Sequence, residues 1–181
     1  MSRIIAALTI TLILVAMPSL PLYPQAKVTA EKVGDKIECK INGNLFTNYI
    51  LSDYEKYPFF FPVNGPSSAS VTSMRNANFP HHSSLFFGCD RVNGGNYWQE
   101  GLERGQIISL RADIIESGGE VAIIENECIW RRPGADAPIK DKRRIVISAP
   151  SPTVYQIDFD PLAYADVQGT KDDAGKPLVY R

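Results

Sequence analysis

The stretch KIECKINGNLFTNYIL, residues 36–51, decides the fold. Lys36, Glu38 and Lys40 alternate with Ile37, Cys39 and Ile41. That is the period of a strand with one apolar face. Asn42-Gly43 follows, and both residue types tolerate the positive φ that a two-residue hairpin turn demands. Residues 44–51 then return as the second strand of the hairpin.

Reading outward toward the C-terminus, the strand period persists. Residues 56–66, KYPFFFPVNGP, read as a short buried strand between turns, kept out of a regular ladder by its prolines. Residues 67–78 are small and polar and read as a surface loop with one short strand around Val71. Residues 83–89 read as a buried strand, and 90–96 form a turn. Residues 104–116 alternate around Ile107, Leu110, Ala112 and Ile114. Ser117-Gly118-Gly119 turns the chain, and residues 120–130 return with Val121, Ile123 and Glu125 on one face, a second hairpin. After a Pro/Gly loop at 131–141, strands at 143–148 and 153–159 flank a turn at 149–152. An apolar stripe of period 3.6 is absent, so no helix longer than about two turns is expected beyond the leader. The chain therefore reads as all-β, an antiparallel β-sandwich or part of a larger supersandwich-like fold. Residues 162–167 begin another apolar segment just before the sequence ends, so an exposed sheet edge is expected unless another chain covers it.

Toward the N-terminus, Arg3 precedes an almost wholly apolar run at 4–16, and Pro18, Pro21 and Pro24 follow. This is the pattern of a signal helix, shorter than the ~20 residues of a comfortable bilayer span. The expected division is a signal peptide at 1–26, ending at Ala26, and one β-rich domain at 27–181, secreted or periplasmic with no stable membrane span after cleavage. Export implies an oxidising compartment, where Cys39, Cys89 and Cys128 allow at most one intramolecular pair. One disulfide or three buried thiols is expected. A formal net charge of −1 leaves no electrostatic footprint for nucleic acid. The short basic cluster Lys140, Lys142, Arg143 and Arg144, with Asp141 inside it, reads as a solvated strand edge.

Residues that can do chemistry concentrate in one segment, FPHHSSLFFGCDRVNGGNYWQE at 79–100. His81 and His82 are suited to proton transfer near neutral pH. Neighbours on a strand point to opposite faces, so both would converge on one cavity only in a turn. Metal binding needs three or four ligands and the chain has no third histidine, so neither a metal nor another cofactor is expected. Asn93 opens an Asn-Gly-Gly-Asn turn whose groups could meet a sugar hydroxyl. Tyr97 and Trp98 suit stacking on the apolar C–H face of a pyranose, with a buried strand position as the alternative. Glu100 could pair with a histidine for acid–base work. Walker, Rossmann and GxSxG elements are missing.

In order and approximate spacing, residues 57–66, 80–88, 92–94 and 97–100 resemble the PmoA-like family of bacterial secreted proteins, which carries the label "methane oxygenase PmoA". Gly169-Thr170-Lys171 is similar to a later family element, which adds Lys171 to the binding candidates. Ser83 stands where the family often has Arg, and Cys89-Asp90-Arg91 where it often has His-Gly-Asp. The family domain continues past the Thr-Lys element, so the resemblance implies a chain truncated at its C-terminus. It also implies a β-rich exported protein of carbohydrate-degrading bacteria with a histidine site. The expectation is a protein acting on or binding carbohydrate or another small molecule. His81, His82 and Glu100 would be catalytic, and Asn93, Tyr97, Trp98 and Lys171 would contact substrate. The alternatives are a non-catalytic glycan-binding or structural envelope protein and, disfavoured, a metal-dependent oxygenase.

Overall fold

The computed structural model describes residues 24–92, 94–99, 101–134 and 139–165, the last three as backbone only. The expected leader at 1–26 lies almost wholly outside these residues. The first hairpin forms as the sequence dictates. Strands β1 (Val28–Val33), β2 (Lys36–Ile41) and β3 (Asn44–Ile50) pair antiparallel in order. Asn42 and Gly43 take φ of 52° and 82°, the positive pair that a right-twisted hairpin requires. β2 buries every second residue, placing Ile37, Cys39 and Ile41 in the interior.

Strand β4 (Phe59–Val63) lies beside β3 and carries β7 (Leu85–Phe86) on its other edge, giving a five-stranded sheet. Its pairing with β3 skips register between Thr47 and Tyr49, the irregular ladder its proline implied. The loop after it departs from expectation. Val71 is 71% exposed, and the short strand lies later, as β5 (Met74–Asn76), paired with β6 (Phe79–Ser83) in a separate two-stranded hairpin. The buried strand expected at 83–89 is split, because Ser84 adopts a φ of 62° between β6 and β7. A short 3₁₀ turn at Leu102–Arg104 leads into the second half of the chain, and no described helix is long and apolar enough to cross a membrane.

Strands β8 (Gln106–Glu116), β9 (Val121–Arg131), β10 (Ile139–Ser151) and β11 (Val154–Ala165) form a four-stranded antiparallel sheet in the order β11-β10-β9-β8. β8 contains a bulge between Ser109 and Arg111. The bulge changes inward parity from odd (Ile107, Ser109) to even (Ala112), and Leu110 is left 55% exposed. The expectation of one unbroken alternation through Leu110 is thereby corrected.

The two sheets pack face to face. One apolar cluster joins Val28, Ile37, Cys39, Ile41, Phe46, Tyr49 and Phe60 of the first sheet to Ala112, Ala122, Ile124, Ile145 and Ile147 of the second. A second cluster gathers Tyr57, Phe59, Tyr97, Ile107, Cys128, Trp130 and Ile139. Between them along β9 and β10 sits a polar joint of Asn126, Asp141 and Arg143, all buried. Arg143 donates from Nε to Asp141 Oδ1 at 2.7 Å and from Nη2 to Asp141 Oδ2 at 3.0 Å. Trp130 Nε1 also donates to Asp141. Asn126 donates to the Tyr49 hydroxyl at 2.9 Å, which ties the two sheets together, and Ser109 donates to Asn126 Oδ1 at 2.7 Å. The rings of Phe87 and Phe159 lie 5.5 and 5.8 Å from the guanidinium carbon of Arg143. The expected solvated basic edge is thus corrected. β10 is an inner strand, and Arg143 is turned inward because Asp141, two residues earlier and so on the same face, receives both arms of its fork.

The thiols are also corrected: all three are free, Cys39 and Cys128 buried and Cys89 exposed. Burial pushes Cys39 and Cys128 from an ordinary 9.0 up to about 12, so both are inert protonated core residues near neutral pH.

Candidate functional site

The β5–β6 hairpin builds one wall of an open cleft. Asn76 closes its two-residue turn, its Oδ1 accepting from the amides of Asn78 and Phe79 at 3.1 and 3.0 Å. Arg75 takes a positive φ of 52° where the ladder skips register, and its guanidinium pairs with Glu55. On β6, three rings pack on one another. Phe79 and His82 stack nearly parallel, with centroids 4.9 Å apart and planes 9° apart. His81 stands edge-on to His82 at 4.5 Å. Neither imidazole has a hydrogen-bond partner among the described residues. The backbone beneath is fixed by Tyr57, whose hydroxyl donates to the His81 carbonyl oxygen at 2.8 Å. Burial pushes the Tyr57 phenol up to about 12, so it remains a donor across the neutral range.

The opposite wall comes from the turn after Cys89, which is held by one buried side chain. Asn96 Oδ1 accepts from the amides of Trp98 and Gln99, both at 3.0 Å, and its Nδ2 donates to Asp90 Oδ1 at 2.9 Å. Tyr97 points inward, its ring 5.0 Å from Trp130, and burial raises its pKa. Glycines surround it: a Cβ at Gly88 would lie 2.6 Å from the Tyr97 carbonyl oxygen, and one at Gly95 would lie 2.7 Å from its ring. With Tyr97 locked in the core, its neighbour Trp98 is directed outward, 41% exposed, with its ring 6.5 Å from Phe86. Phe86 in turn stacks on Tyr57 at 4.2 Å.

The cleft between these walls measures about 380 Å³ and is lined by Thr72, Ser73, Asn76, His82, Ser84, Phe86 and Trp98. That size lies at the low end of the roughly 300–1,000 Å³ typical of ligand pockets. Of the expected site residues, His82 and Trp98 meet here. His81 packs edge-on against His82 without lining the cleft, and Tyr97 belongs to the core. Asn93, Glu100 and Lys171 lie outside the described residues. Among the described residues no three His, Cys, Asp or Glu side chains cluster as metal ligands would.

Sequence reading missed Thr72, Ser73, Asn76, Ser84 and Phe86, and the positioning roles of Phe79 and Asn96. A signal was present for the hairpin: Asn76-Ala77-Asn78 between polar Thr72-Ser73 and Pro80-His81-His82 is a turn between two short polar strands. Nothing in the sequence marked Phe86 as a cleft wall.

No curated protein and no solved structure matches the chain. Residues 36–167, from β2 to just beyond β11 and including the whole cleft, match a protein-family model described as a family of unknown function, DUF6807. Since that match takes in well over half of the sequence, the chain belongs to the DUF6807 family.

Proposed function

We propose that this protein binds carbohydrate in the cleft between the β5–β6 hairpin and Trp98. The observation that carries the reading is the make-up of that cleft. An outward indole and the Phe86 ring share one open space with the hydroxyls of Thr72, Ser73 and Ser84 and the amide of Asn76. A pyranose presents an apolar C–H face and a hydroxylated rim, which these two kinds of surface complement. The indole is rigid and large, so stacking on it orders few rotatable bonds. The packing of His82 on Phe79, without a hydrogen-bonded orienting partner among the described residues, favours a binding role for its imidazole over proton transfer. The apolar leader at 4–16 supports a secreted or periplasmic setting. The finer PmoA-like likeness rests on the ordered motifs at 57–66, 80–88, 92–94 and 97–100.

The reading is tested by titrating purified protein with oligosaccharides in a calorimeter. Trp98→Ala should abolish or strongly weaken binding, whereas His82→Ala should weaken it by no more than roughly tenfold. A catalytic version of the same site, with His82 as general acid or base and Glu100 as its partner, predicts turnover that either His82→Ala or Glu100→Ala destroys. Unchanged turnover in both variants would remove that version. Binding indifferent to Trp98→Ala would remove the proposal itself.

A further inference from the structure

We infer that the cleft selects neutral glycans over uronic-acid or sulfated ones. The inference rests on the carbohydrate reading above and narrows it. The described lining holds no lysine, arginine or carboxylate. Apart from the His82 imidazole, its polar groups are hydroxyls and one amide, and the structure shows which of their hydrogens are committed. Thr72 Oγ1 accepts from Ser84 Oγ at 2.7 Å and from the Val63 amide at 3.3 Å, which fills its two lone pairs. What Thr72 still offers is its own O–H. Asn76 has its Oδ1 committed to two turn amides, so what it offers is its N–H₂ group. The cleft therefore presents neutral donors flanked by aromatic faces.

Neutral donors satisfy hydroxyl, ring and glycosidic oxygens, whose removal from water is inexpensive once a hydrogen bond replaces it. A carboxylate or sulfate is different. Its desolvation costs far more, and proteins offset it with a guanidinium fork or an ammonium. The cation on this hairpin, Arg75, is turned to Glu55, and the pair cancels both charges beside the cleft. Recruiting Arg75 to an anionic sugar would leave Glu55 without its partner, so the pairing itself works against acidic ligands.

The test compares two sets of ligands on the full chain by calorimetry: cello-, xylo- and mannohexaose against oligogalacturonate, alginate oligomers and a sulfated galactan. At least one neutral ligand is expected to bind at least about tenfold tighter than any acidic one. Its affinity should move less than about twofold between about 50 and about 500 mM NaCl, since no charge pairing is screened. Trp98→Ala should weaken it by at least about tenfold, the loss expected of a central aromatic anchor, while the circular dichroism spectrum stays native. Tighter, salt-weakened binding of the acidic set would overturn the inference and leave the carbohydrate reading standing. Neutral binding that survives Trp98→Ala would overturn it by moving the ligand elsewhere. Binding of neither set would overturn the carbohydrate reading and this inference together.

Discussion

Two polar regions of the molecule are built on opposite terms. In the joint between the sheets, Arg143, Asp141, Trp130, Asn126, Tyr49 and Ser109 spend their hydrogen-bonding capacity on one another, and Arg143 and Asn126 are 0% exposed. In the cleft, Trp98, His82 and Asn76 reach solvent, and their order is imposed from behind by Phe79, Tyr57 and Asn96. The joint contains the stronger interactions and leaves nothing available to a ligand. The cleft contains weaker ones and leaves donors and rings unspent. Charge and burial alone would have pointed to the joint as the functional centre. Accounting for each donor and acceptor points to the cleft.

The sharpest way to break this contrast is to remove one partner of the joint. Asp141→Ala leaves the Arg143 guanidinium buried without its carboxylate. Loss of one member of a buried pair costs roughly 3–5 kcal/mol, a large part of the stability of a small domain. Urea unfolding should show it. The double change Asp141→Leu with Arg143→Met should recover most of the loss, because two apolar side chains leave no stranded charge. If Asp141→Ala is tolerated with less than about 1 kcal/mol lost, the joint is wetter and looser than its geometry implies.

Alkali separates interior from surface next. Cys39 and Cys128 are raised from 9.0 to about 12 by burial, and Tyr49 and Tyr57 from 10.0 to about 12, again chiefly by burial. A raised folded pKa means that the unfolded chain loses its proton first. These groups therefore favour the fold fully below pH 9, and that contribution drains away between about pH 9 and about pH 12. The urea midpoint should fall across that window and stay flat just below it. Over the same range a thiol reagent should label Cys89 in the native protein and reach Cys39 and Cys128 only on unfolding. Fast labelling of all three thiols in native buffer would contradict the sealed interior.

How far the sequence carried each region follows the same division. The hairpin at Asn42-Gly43 was legible because a turn is a local event with a strict backbone requirement. The inward arginine was not. KDKRR alternates one charge with another, and only Asp141 opposite the cleared space between two apolar clusters marks Arg143 as the buried one. Leu110 was misassigned because a bulge leaves no mark on the residue it expels. In the cleft, Trp98 and His82 were legible by type. Their wall was not: Phe86 reaches it through β4–β7 pairing, a long-range event with no local pattern, and Thr72 is held against Ser84 at the open end of the β5–β6 hairpin, whose turn signal at 76–78 says nothing of what lies beyond its strands.

A moderate effect is expected at Asn96, which does not itself line the cleft yet fixes the chain that presents Trp98. Asn96→Ala removes two accepted amide bonds at 3.0 Å and one donated bond to Asp90. The loss resembles that of a helix N-cap, about 1 kcal/mol. Because Asn96 positions rather than contacts, its variant should weaken glycan binding together with a broadened Trp98 fluorescence band. Asn96→Ser, which keeps an accepting oxygen without setting a carboxylate against Asp90, should restore much of both. Failure of the serine to rescue would mean that the Asp90 contact, rather than the amide clamp, holds the turn.

The smallest effect, and the finest test of the contrast, lies at Phe79. It is 50% exposed, so Phe79→Ala should change stability by no more than about 0.5 kcal/mol, as at other surface positions. Its ring nonetheless stacks on His82 at 4.9 Å, an aromatic contact of the kind worth about 0.5–1.5 kcal/mol. Without it the imidazole regains its rotamers, and glycan affinity should drop by roughly two- to tenfold, with the proton resonances of His82 broadening in the same variant. Phe79→Tyr keeps the stacking face and should keep the affinity. Were Phe79→Ala to leave both affinity and resonances untouched, His82 would be ordered by something other than the ring beneath it. The cleft would then share the self-sufficiency of the joint, and the difference between the two regions would rest on Trp98 alone.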